Sequence, residues 1–248
     1  LDYANSNPNG EIVFRASDMQ IQADSDASYL VAPKARSRAG GYHWLGSNDG
    51  KLFNGPIYVL AKIIKHVMGS AMEAEIRAMY MNAQKLVEYR QTLTDMGHPQ
   101  KPTLIRTDNK TACGILTGTM RQKASKCIDM NFHWLGDRTV NQKQFKLEWA
   151  PGSTNLGDYP TKHHFSKHHR QVRPIYQYIK GRSPSTLEGC NRILNPTSQT
   201  KTYGRQDSNA DGHTNKAHQL NQSTGKSTLL DVARRVVNRV MNSHQLII

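Results

Sequence analysis

The sequence predicts an α/β domain built on a mixed five-stranded sheet that is flanked by helices. Three short strand-like segments follow one another with turn-length joints, which is typical of an antiparallel meander. A capped amphipathic helix comes next, and two further strand-like segments then alternate with helical ones. A meander followed by alternating strands and helices indicates a sheet of mixed direction with helices packed on it.

The first three strands are expected at residues 19–29, 42–46 and 56–61. The first begins with alternating apolar and polar residues, and its end carries Asp26. Residues 33–41 join the first two strands and are expected to form a basic loop. This loop contains Lys34, Arg36 and Arg38, which are candidates for phosphate contact.

The best helix is expected to begin at Ser70, because Ser70 and Glu73 match a capping box. An apolar stripe with helical spacing follows and ends near Gly97, where a Gly-His-Pro sequence is a typical stop. The remaining elements are expected as a strand at 103–107, helices at 109–116 and 124–140, a strand at 145–149 and a last short helix beginning at Asp158.

The chain of 248 residues carries a formal net charge of +14, which favours a polyanionic partner and above all nucleic acid. Its hydrophobic content of 37% and mean hydropathy of −0.68 indicate one compact part and one loosely packed part. We expect a linker from an upstream region at 1–18, the α/β domain at 19–180, and a polar C-terminal extension at 181–248. This extension is expected to be a basic, largely disordered tail with a short amphipathic helix near 228–241.

Three cysteines without zinc-like spacing argue against a disulfide framework or a zinc site, and they favour a reducing compartment. We find neither a run of about 18 apolar residues nor a signal peptide, so we expect no membrane partner and no secretion. The histidine pairs at 163–164 and 168–169 are interpreted as a basic surface, not as a transition-metal site. Because the chain begins with Leu1 and not with Met, we expect either a processed product or a piece of a longer polypeptide.

Acidic residues occur at four marked places, and together they predict a catalytic site. Asp26 lies at the end of one predicted strand and Asp108 follows another, and ligands of open α/β sheets bind outside the carboxyl ends of the strands. Glu73 and Glu75 flank the apolar stripe of one helix on opposite sides, so the spacing leaves open which of them faces a shared site. Asp158 is expected at the start of the last helix. Asp108 has a second interpretation as the cap of the helix that follows it.

Converging carboxylates repel one another unless cations lie among them. Hard oxygen ligands suit Mg²⁺ or Mn²⁺. Two such ions, about 3.5–4 Å apart, can activate a water and stabilise the leaving oxygen of a phosphodiester. The acids and the basic charge of the chain therefore predict a metal-dependent nuclease.

Six motifs occur along the chain in this order: Ser25-Asp26-Ala27-Ser28-Tyr29, Arg36-Ser37-Arg38-Ala39-Gly40-Gly41-Tyr42, Ser70-Ala71-Met72-Glu73-Ala74-Glu75-Ile76, Thr107-Asp108-Asn109-Lys110-Thr111-Ala112, Lys126-Cys127-Ile128-Asp129-Met130-Asn131-Phe132-His133 and Leu156-Gly157-Asp158-Tyr159-Pro160-Thr161-Lys162. Each motif alone is weak, but the ordered set resembles the ribonuclease H domain of copia-type LTR retrotransposon Pol polyproteins. The resemblance covers residues 19–165. It implies a ribonuclease H-like fold and hydrolysis of the RNA strand of RNA–DNA hybrids during reverse transcription.

The resemblance also implies roles for individual residues. The metal-binding acids, which would hold two Mg²⁺ or Mn²⁺ ions, are Asp26, Glu75, Asp108 and Asp158. Glu75 matches the family position better than Glu73. Asn109 and Lys110 would contact the hybrid. Residues 126, 129 and 133 match a family helix motif with a structural or backbone-contacting role.

The resemblance further implies an upstream reverse transcriptase region in the same polyprotein as a partner. The expected location is the cytoplasm, within virus-like particles, with the nucleus as a further location.

Two other functions remain open at this point. A degenerate retroelement remnant would bind nucleic acid without cleaving it. A different nuclease, or an integrase of the same fold, would cleave duplex DNA in preference to a hybrid.

Overall fold

One mixed sheet organises the computed structural model, which describes residues 2–120 and 129–196. The strands of these residues are β1 Gln20–Ala32, β2 Arg36–Gly46, β3 Pro56–Ile63, β4 Thr103–Thr107 and β5 Phe145–Trp149. Their order in the sheet is β3-β2-β1-β4-β5. The first three strands pair antiparallel, whereas β4 pairs parallel with both β1 and β5. The predicted five-stranded mixed sheet is confirmed.

Helices flank this sheet and connect its strands. The described α-helices are α1 Asp2–Ser6, α2 Ala71–Asp95, α3 Lys110–Leu116, α4 Asp129–Gly136, α5 Ser166–Tyr176 and α6 Leu187–Leu194. A π-helical turn, Asp137–Asn141, follows α4, and two 3₁₀ turns occur at Gly152–Thr154 and Tyr159–Thr161. Within the described residues, none of these helices has the length and apolar character needed to cross a bilayer.

Helix α2 has the cap that its sequence predicts. The Ser70 side chain accepts a hydrogen bond from the Glu73 backbone N–H at 3.2 Å. At the other end, Gly97 adopts a left-handed conformation with φ +88°, which closes the helix without the cost that a Cβ would add. The helix packs against β1 and β2, where Ala78 joins a buried cluster with Ala39 and Leu60.

The opposite face of the sheet is covered by the segment that follows β5. Trp44 of β2 forms a buried cluster there with Leu156 and with Ile175 of α5, and Cys190 of α6 closes the same cluster. The domain therefore has three layers, with α2 on one face and the 156–194 segment on the other.

Three sequence-predicted elements differ from the structure. The last short helix expected at Asp158 is the 3₁₀ turn Tyr159–Thr161. The basic loop expected at 33–41 is a short turn, because β2 already begins at Arg36 and the register of β1 shifts in a bulge between Ser28 and Ala32. Of the helix expected at 124–140, the structure describes the part from Asp129 onward. This part is α4, and the π-helical turn Asp137–Asn141 follows it.

The compact unit is also longer than the 19–180 domain expected from the sequence. Residues 2–18 and 181–196 belong to the same unit as the sheet. Thr186 caps α6 by accepting a hydrogen bond from Gly189 N–H at 3.1 Å, and this helix brings Cys190 into the core. The eight-residue α6 is too short for a clear apolar period. Residues 197–248, including the helix expected near 228–241, lie outside the described residues.

Candidate active site

Three of the predicted acids meet at one edge of the sheet. Asp26 lies on β1, Glu75 on α2, and Asp108 directly after β4; one carboxylate oxygen from each lies within 4.8 Å of the others. Strands β1 and β4 are parallel neighbours, so their carboxyl ends open at the same edge. These three residues are called the acidic cluster below. Among the described residues, it is the one group of three or more potential metal-ligating side chains, and it contains no histidine.

The structure places Glu75, and not Glu73, in the acidic cluster. Glu75 is 5% exposed, and its carboxylate accepts hydrogen bonds from the Ala27 N–H at 3.1 Å and the Thr107 hydroxyl at 3.5 Å. Glu73 turns toward the start of α2, where it accepts a hydrogen bond from the Gly69 N–H at 2.7 Å. The choice that helical spacing left open is therefore resolved by the packing of α2.

Asp108 is not the cap of the helix that follows it. The cap is Asn109, whose side chain accepts a hydrogen bond from the Ala112 N–H at 2.9 Å, so the alternative interpretation of Asp108 is wrong. The Asp108 carbonyl accepts a hydrogen bond from the indole N–H of Trp149 at 2.9 Å. A Cβ placed on Gly152 would lie 2.5 Å from Asp108 Oδ2. The loop after β5 therefore approaches the cluster too closely to accommodate a side chain at this position.

The fourth predicted acid, Asp158, lies outside the 4.8 Å group. Its carboxylate is ion-paired with Lys162, one turn further along the chain. Thr161, the neighbour of that lysine, donates a hydrogen bond to Asp26 Oδ2 at 2.6 Å. Two consecutive residues, Thr161 and Lys162, therefore hold the first and the last of the predicted acids.

The loop that carries Asp158 is anchored on β1. The Asn155 side chain donates to the Ser25 carbonyl, and the Leu156 N–H donates to Asp24 Oδ2, both at 2.9 Å. Asp24 is fully buried and forms a bidentate ion pair with Arg106 of β4, with N–O distances of 2.6 and 2.7 Å. This buried pair ties β1, β4 and the Asp158 loop together beneath the acidic cluster.

Positive charge compensates the acidic cluster only in part: Lys162 acts on Asp26 and Asp108. Burial raises the pKa of Glu75 to about 9, and the negative charges of Asp26 and Asp108 add to this effect. Burial also raises the pKa of Asp26 to about 6, against the opposing hydrogen bond from Thr161. Burial likewise raises the pKa of Asp108, while the nearby Lys162 ammonium lowers it. Close, buried carboxylates of this kind suit a hard divalent cation, so the residues present fit the predicted Mg²⁺ or Mn²⁺.

The predicted substrate contacts lie at different distances from this edge. Arg38 pairs with Ser28, two residues beyond Asp26. Arg36 lies further from the acidic cluster, at the start of β2, and Lys34 lies in the turn before it, at a φ of +61°. Arg36, Arg38 and Gly40 occupy every second position of β2, so their Cβ directions point to the same face of the sheet. A Cβ at Gly40 would meet residues 157 and 161, so both arginines belong to the face that carries Asp158.

The two contacts predicted beside Asp108 already have local partners. The side-chain oxygen of Asn109 is the cap of α3. The ammonium of Lys110 lies 4.2 Å from the ring centroid of Trp149, a cation–π distance. Trp149 is 43% exposed, so this pair presents a charged and aromatic surface directly beside the cluster.

Sequence reasoning gave no role to Thr161, Lys162 or Gly152. For the first two a signal was present, because they lie three and four residues after Asp158, a spacing that returns a side chain to the same side of a helical turn. No comparable signal existed for Gly152, since its role depends on how closely one loop approaches a distant strand.

No protein-family model matches this chain, and no curated protein matches it. Among solved structures, LC11-RNase H1, isolated from compost by a metagenomic approach, is 13% identical with a TM-score of 0.45, covering 57% of this chain and 92% of its own. The same enzyme in complex with an RNA/DNA hybrid gives 15% identity and a TM-score of 0.43, covering 56% and 92%.

A third solved structure is the N-terminal RNase H domain of Rv2228c from Mycobacterium tuberculosis, determined as a fusion with maltose-binding protein. It is 14% identical with a TM-score of 0.39, covering 56% of this chain and 92% of its own. At these low identities and TM-scores, the site of the present chain is interpreted from its own geometry.

Proposed function

We propose that this chain is a metal-dependent endoribonuclease that hydrolyses the RNA strand of RNA–DNA hybrids. The observation that carries the proposal is the convergence of Asp26, Glu75 and Asp108 within 4.8 Å, at the carboxyl end of β4 and beside the middle of β1. These acids come from three of the six motifs that resemble copia-type ribonuclease H domains. A net charge of +14 on the whole chain supports a nucleic acid as the substrate.

The acidic cluster would hold the divalent ions, with Asp158 as the fourth predicted ligand. When bound, two such ions supply an activated water and stabilise the oxygen that leaves the scissile phosphate. The protein contributes a prepared geometry, because Glu75 is fixed by the Ala27 N–H and Asp26 by the Thr161 hydroxyl. Ligands held in this way need little rearrangement when the cations enter.

Lys162 has a separate task in this mechanism. Its ammonium neutralises Asp158, and its positive charge lowers the pKa of both Asp26 and Asp108. It therefore favours the ionised carboxylates that a metal site requires.

Recognition of the hybrid would come from both strands. Contacts to 2′-hydroxyl groups identify the RNA strand, and contacts to phosphates position the DNA strand. Arg36 and Arg38 lie on the face of β2 that carries the Asp158 loop, and Lys34 extends this basic strip to the end of the hairpin. Lys110 adds a positive charge on the other side of Asp108.

We further propose that the chain is the ribonuclease H part of a copia-type Pol polyprotein. In that setting an upstream reverse transcriptase region would produce the hybrid, within cytoplasmic virus-like particles or in the nucleus. The support for this context is the order of the six motifs in the sequence.

Cleavage of a labelled RNA–DNA hybrid in Mg²⁺ or Mn²⁺ tests the proposed activity. Asp108→Asn removes a carboxylate from the acidic cluster, and we expect cleavage to fall at least about 100-fold, since even residues behind metal ligands cost about 10–100-fold. Asp95→Asn, on the exposed end of α2, is the matched control and should cleave like the wild type. Equal cleavage by Asp108→Asn and wild type would refute the assignment.

The ion pair between Asp158 and Lys162 favours one second candidate, a retroelement remnant that binds hybrids without cutting them. In that function the fourth acid would be permanently neutralised by the lysine. Salt-dependent binding of the hybrid, together with no metal-dependent cleavage by the wild type, would identify this remnant.

A further inference from the structure

The segment that follows Asp158 is unusually rich in positive charge and aromatic rings. Residues 159–182 contain no aspartate and no glutamate. The basic residues of this segment are Lys162, His163, His164, Lys167, His168, His169, Arg170, Arg173, Lys180 and Arg182. A surface of one charge sign attracts a partner of the opposite sign, and a phosphate backbone is such a partner.

Rings of this segment form a stack that begins next to the acidic cluster. The Tyr159 ring lies parallel to the His164 ring, with centroids 4.7 Å apart and an interplanar angle of 2°. On its other side Tyr159 stacks on Tyr176, also at 4.7 Å. His164 stacks in turn on His168 at 4.6 Å. The stack therefore leads from the residue after Asp158 to the first turn of α5.

An exposed aromatic residue follows this stack directly. Phe165 is 90% exposed, the highest value among the large hydrophobic side chains of the described residues. Lys167 and Arg170, three residues apart on α5, are both exposed and lie on one side of the helix. Phe165, Lys167 and Arg170 together are called the α5 platform below.

We propose that the α5 platform holds a single-stranded stretch of RNA or DNA that extends from the hybrid in the active site. An exposed ring can stack on an unpaired base, whereas the bases of a duplex are already stacked on each other. The two cations would follow the phosphates of the same stretch. The inference rests on the proposed function only for the hybrid itself, and it assigns this surface to the strand beyond the paired region.

Fluorescence anisotropy at fixed salt can test the platform with the full-length chain. The probes are a blunt RNA–DNA hybrid and two hybrids of the same paired length, one with an unpaired DNA extension and one with an unpaired RNA extension of about ten nucleotides. We expect the wild type to bind at least one of the extended probes more tightly than the blunt one. The two extended probes distinguish DNA from RNA as the preferred strand.

Phe165→Ala should reduce the preference for the extended probe by about fivefold or more, which is the effect of losing one base–aromatic stack. Lys167→Glu should also reduce the preference for the extended probe, and the size of this reduction should decrease at high salt. The matched controls are Phe14→Ala, at a half-exposed phenylalanine, and Lys101→Glu, at an exposed lysine outside the platform. Circular dichroism of each variant establishes that it is folded.

An unchanged preference in folded Phe165→Ala and Lys167→Glu overturns the inference. A change in sedimentation of Phe165→Ala, without a change in nucleic-acid binding, also overturns it and assigns the surface to a protein partner. The outcome is independent of cleavage: an inactive wild type that still loses its preference for the extension in these variants contradicts the proposed nuclease but supports the platform.

Discussion

Replacement of Glu75 by glutamine should stabilise the metal-free protein. Glu75 has an ordinary pKa of 4.5 that burial raises to about 9. A carboxyl with a higher pKa in the folded state binds its proton more tightly there, so its favourable effect is complete below pH 4.5 and is lost as the pH rises toward 9. A pH of about 7 lies about 2.5 units above the ordinary pKa of Glu75. At about 1.4 kcal/mol per unit, the folded protein has by then lost about 3 kcal/mol of stability.

Glu75→Gln keeps the shape of the side chain and its acceptor for the Ala27 N–H, but it cannot ionise. We therefore expect the variant to exceed the wild type in free energy of unfolding by up to about 3 kcal/mol at neutral pH. This corresponds to a rise of about 6–12 °C in Tm for a chain of this size. Below pH 4.5 the two proteins should have nearly equal stability, because the wild-type carboxyl is then mostly protonated in both states.

Urea denaturation in chelator-containing buffer, at several pH values from about 5 to about 9, measures this difference. Glu88→Gln is the matched control on the same helix, since Glu88 is exposed and should change stability by no more than about 0.5 kcal/mol. Added Mg²⁺ should stabilise the wild type more than Glu75→Gln, because a bound ion stabilises the folded state in proportion to its affinity. Parallel stability–pH curves for the two proteins, or a less stable Glu75→Gln, would refute the reasoning.

Two further predictions concern the loops around the acidic cluster. Gly152→Ala would place a Cβ 2.5 Å from Asp108 Oδ2, so we expect a fall of about tenfold or more in the rate of hybrid cleavage by a folded protein. Gly136→Ala, where the added Cβ meets no atom within 4 Å, is its control, and equal rates would contradict the close approach. Lys162→Met should move the rising limb of the pH–rate profile to higher pH, since the lysine lowers the pKa of acids in the cluster. Lys101→Met should leave the profile unchanged, and an unchanged profile in Lys162→Met would remove the lysine from the mechanism.

The sheet and two of its acids can be predicted from local patterns. Asp108 follows one strand-like run and Asp26 lies near the end of another, and the carboxyl ends of neighbouring parallel strands meet at one edge of the sheet whatever the loops do. The capping box at Ser70 likewise locates the start of α2, because a cap depends on residues within one turn.

The features that the sequence does not predict depend on contacts between distant segments. Helical spacing puts Glu73 and Glu75 on opposite sides of the stripe, and only the packing of α2 on β1 selects Glu75. Asp158 was expected among the metal ligands. In the structure Asp158 is paired with Lys162 and lies outside the 4.8 Å group, and a 3₁₀ turn follows it in place of the predicted helix. The short helix α6 has too few residues for a periodic signal, although its burial extends the compact unit.

The hydrogen bond from Thr161 to Asp26 spans 135 positions of the chain, slightly more than the region from Gln20 to Trp149 that forms the sheet. During synthesis, the ribosome therefore releases Asp26, Glu75 and Asp108 well before the residue that orients the first of them. A nascent or truncated chain that ends between Asp108 and Thr161 would contain all three acids. It would lack the threonine that orients Asp26, so the candidate site would be incomplete. The order of translation thereby delays completion of the candidate site until the segment that contains Thr161 has been made.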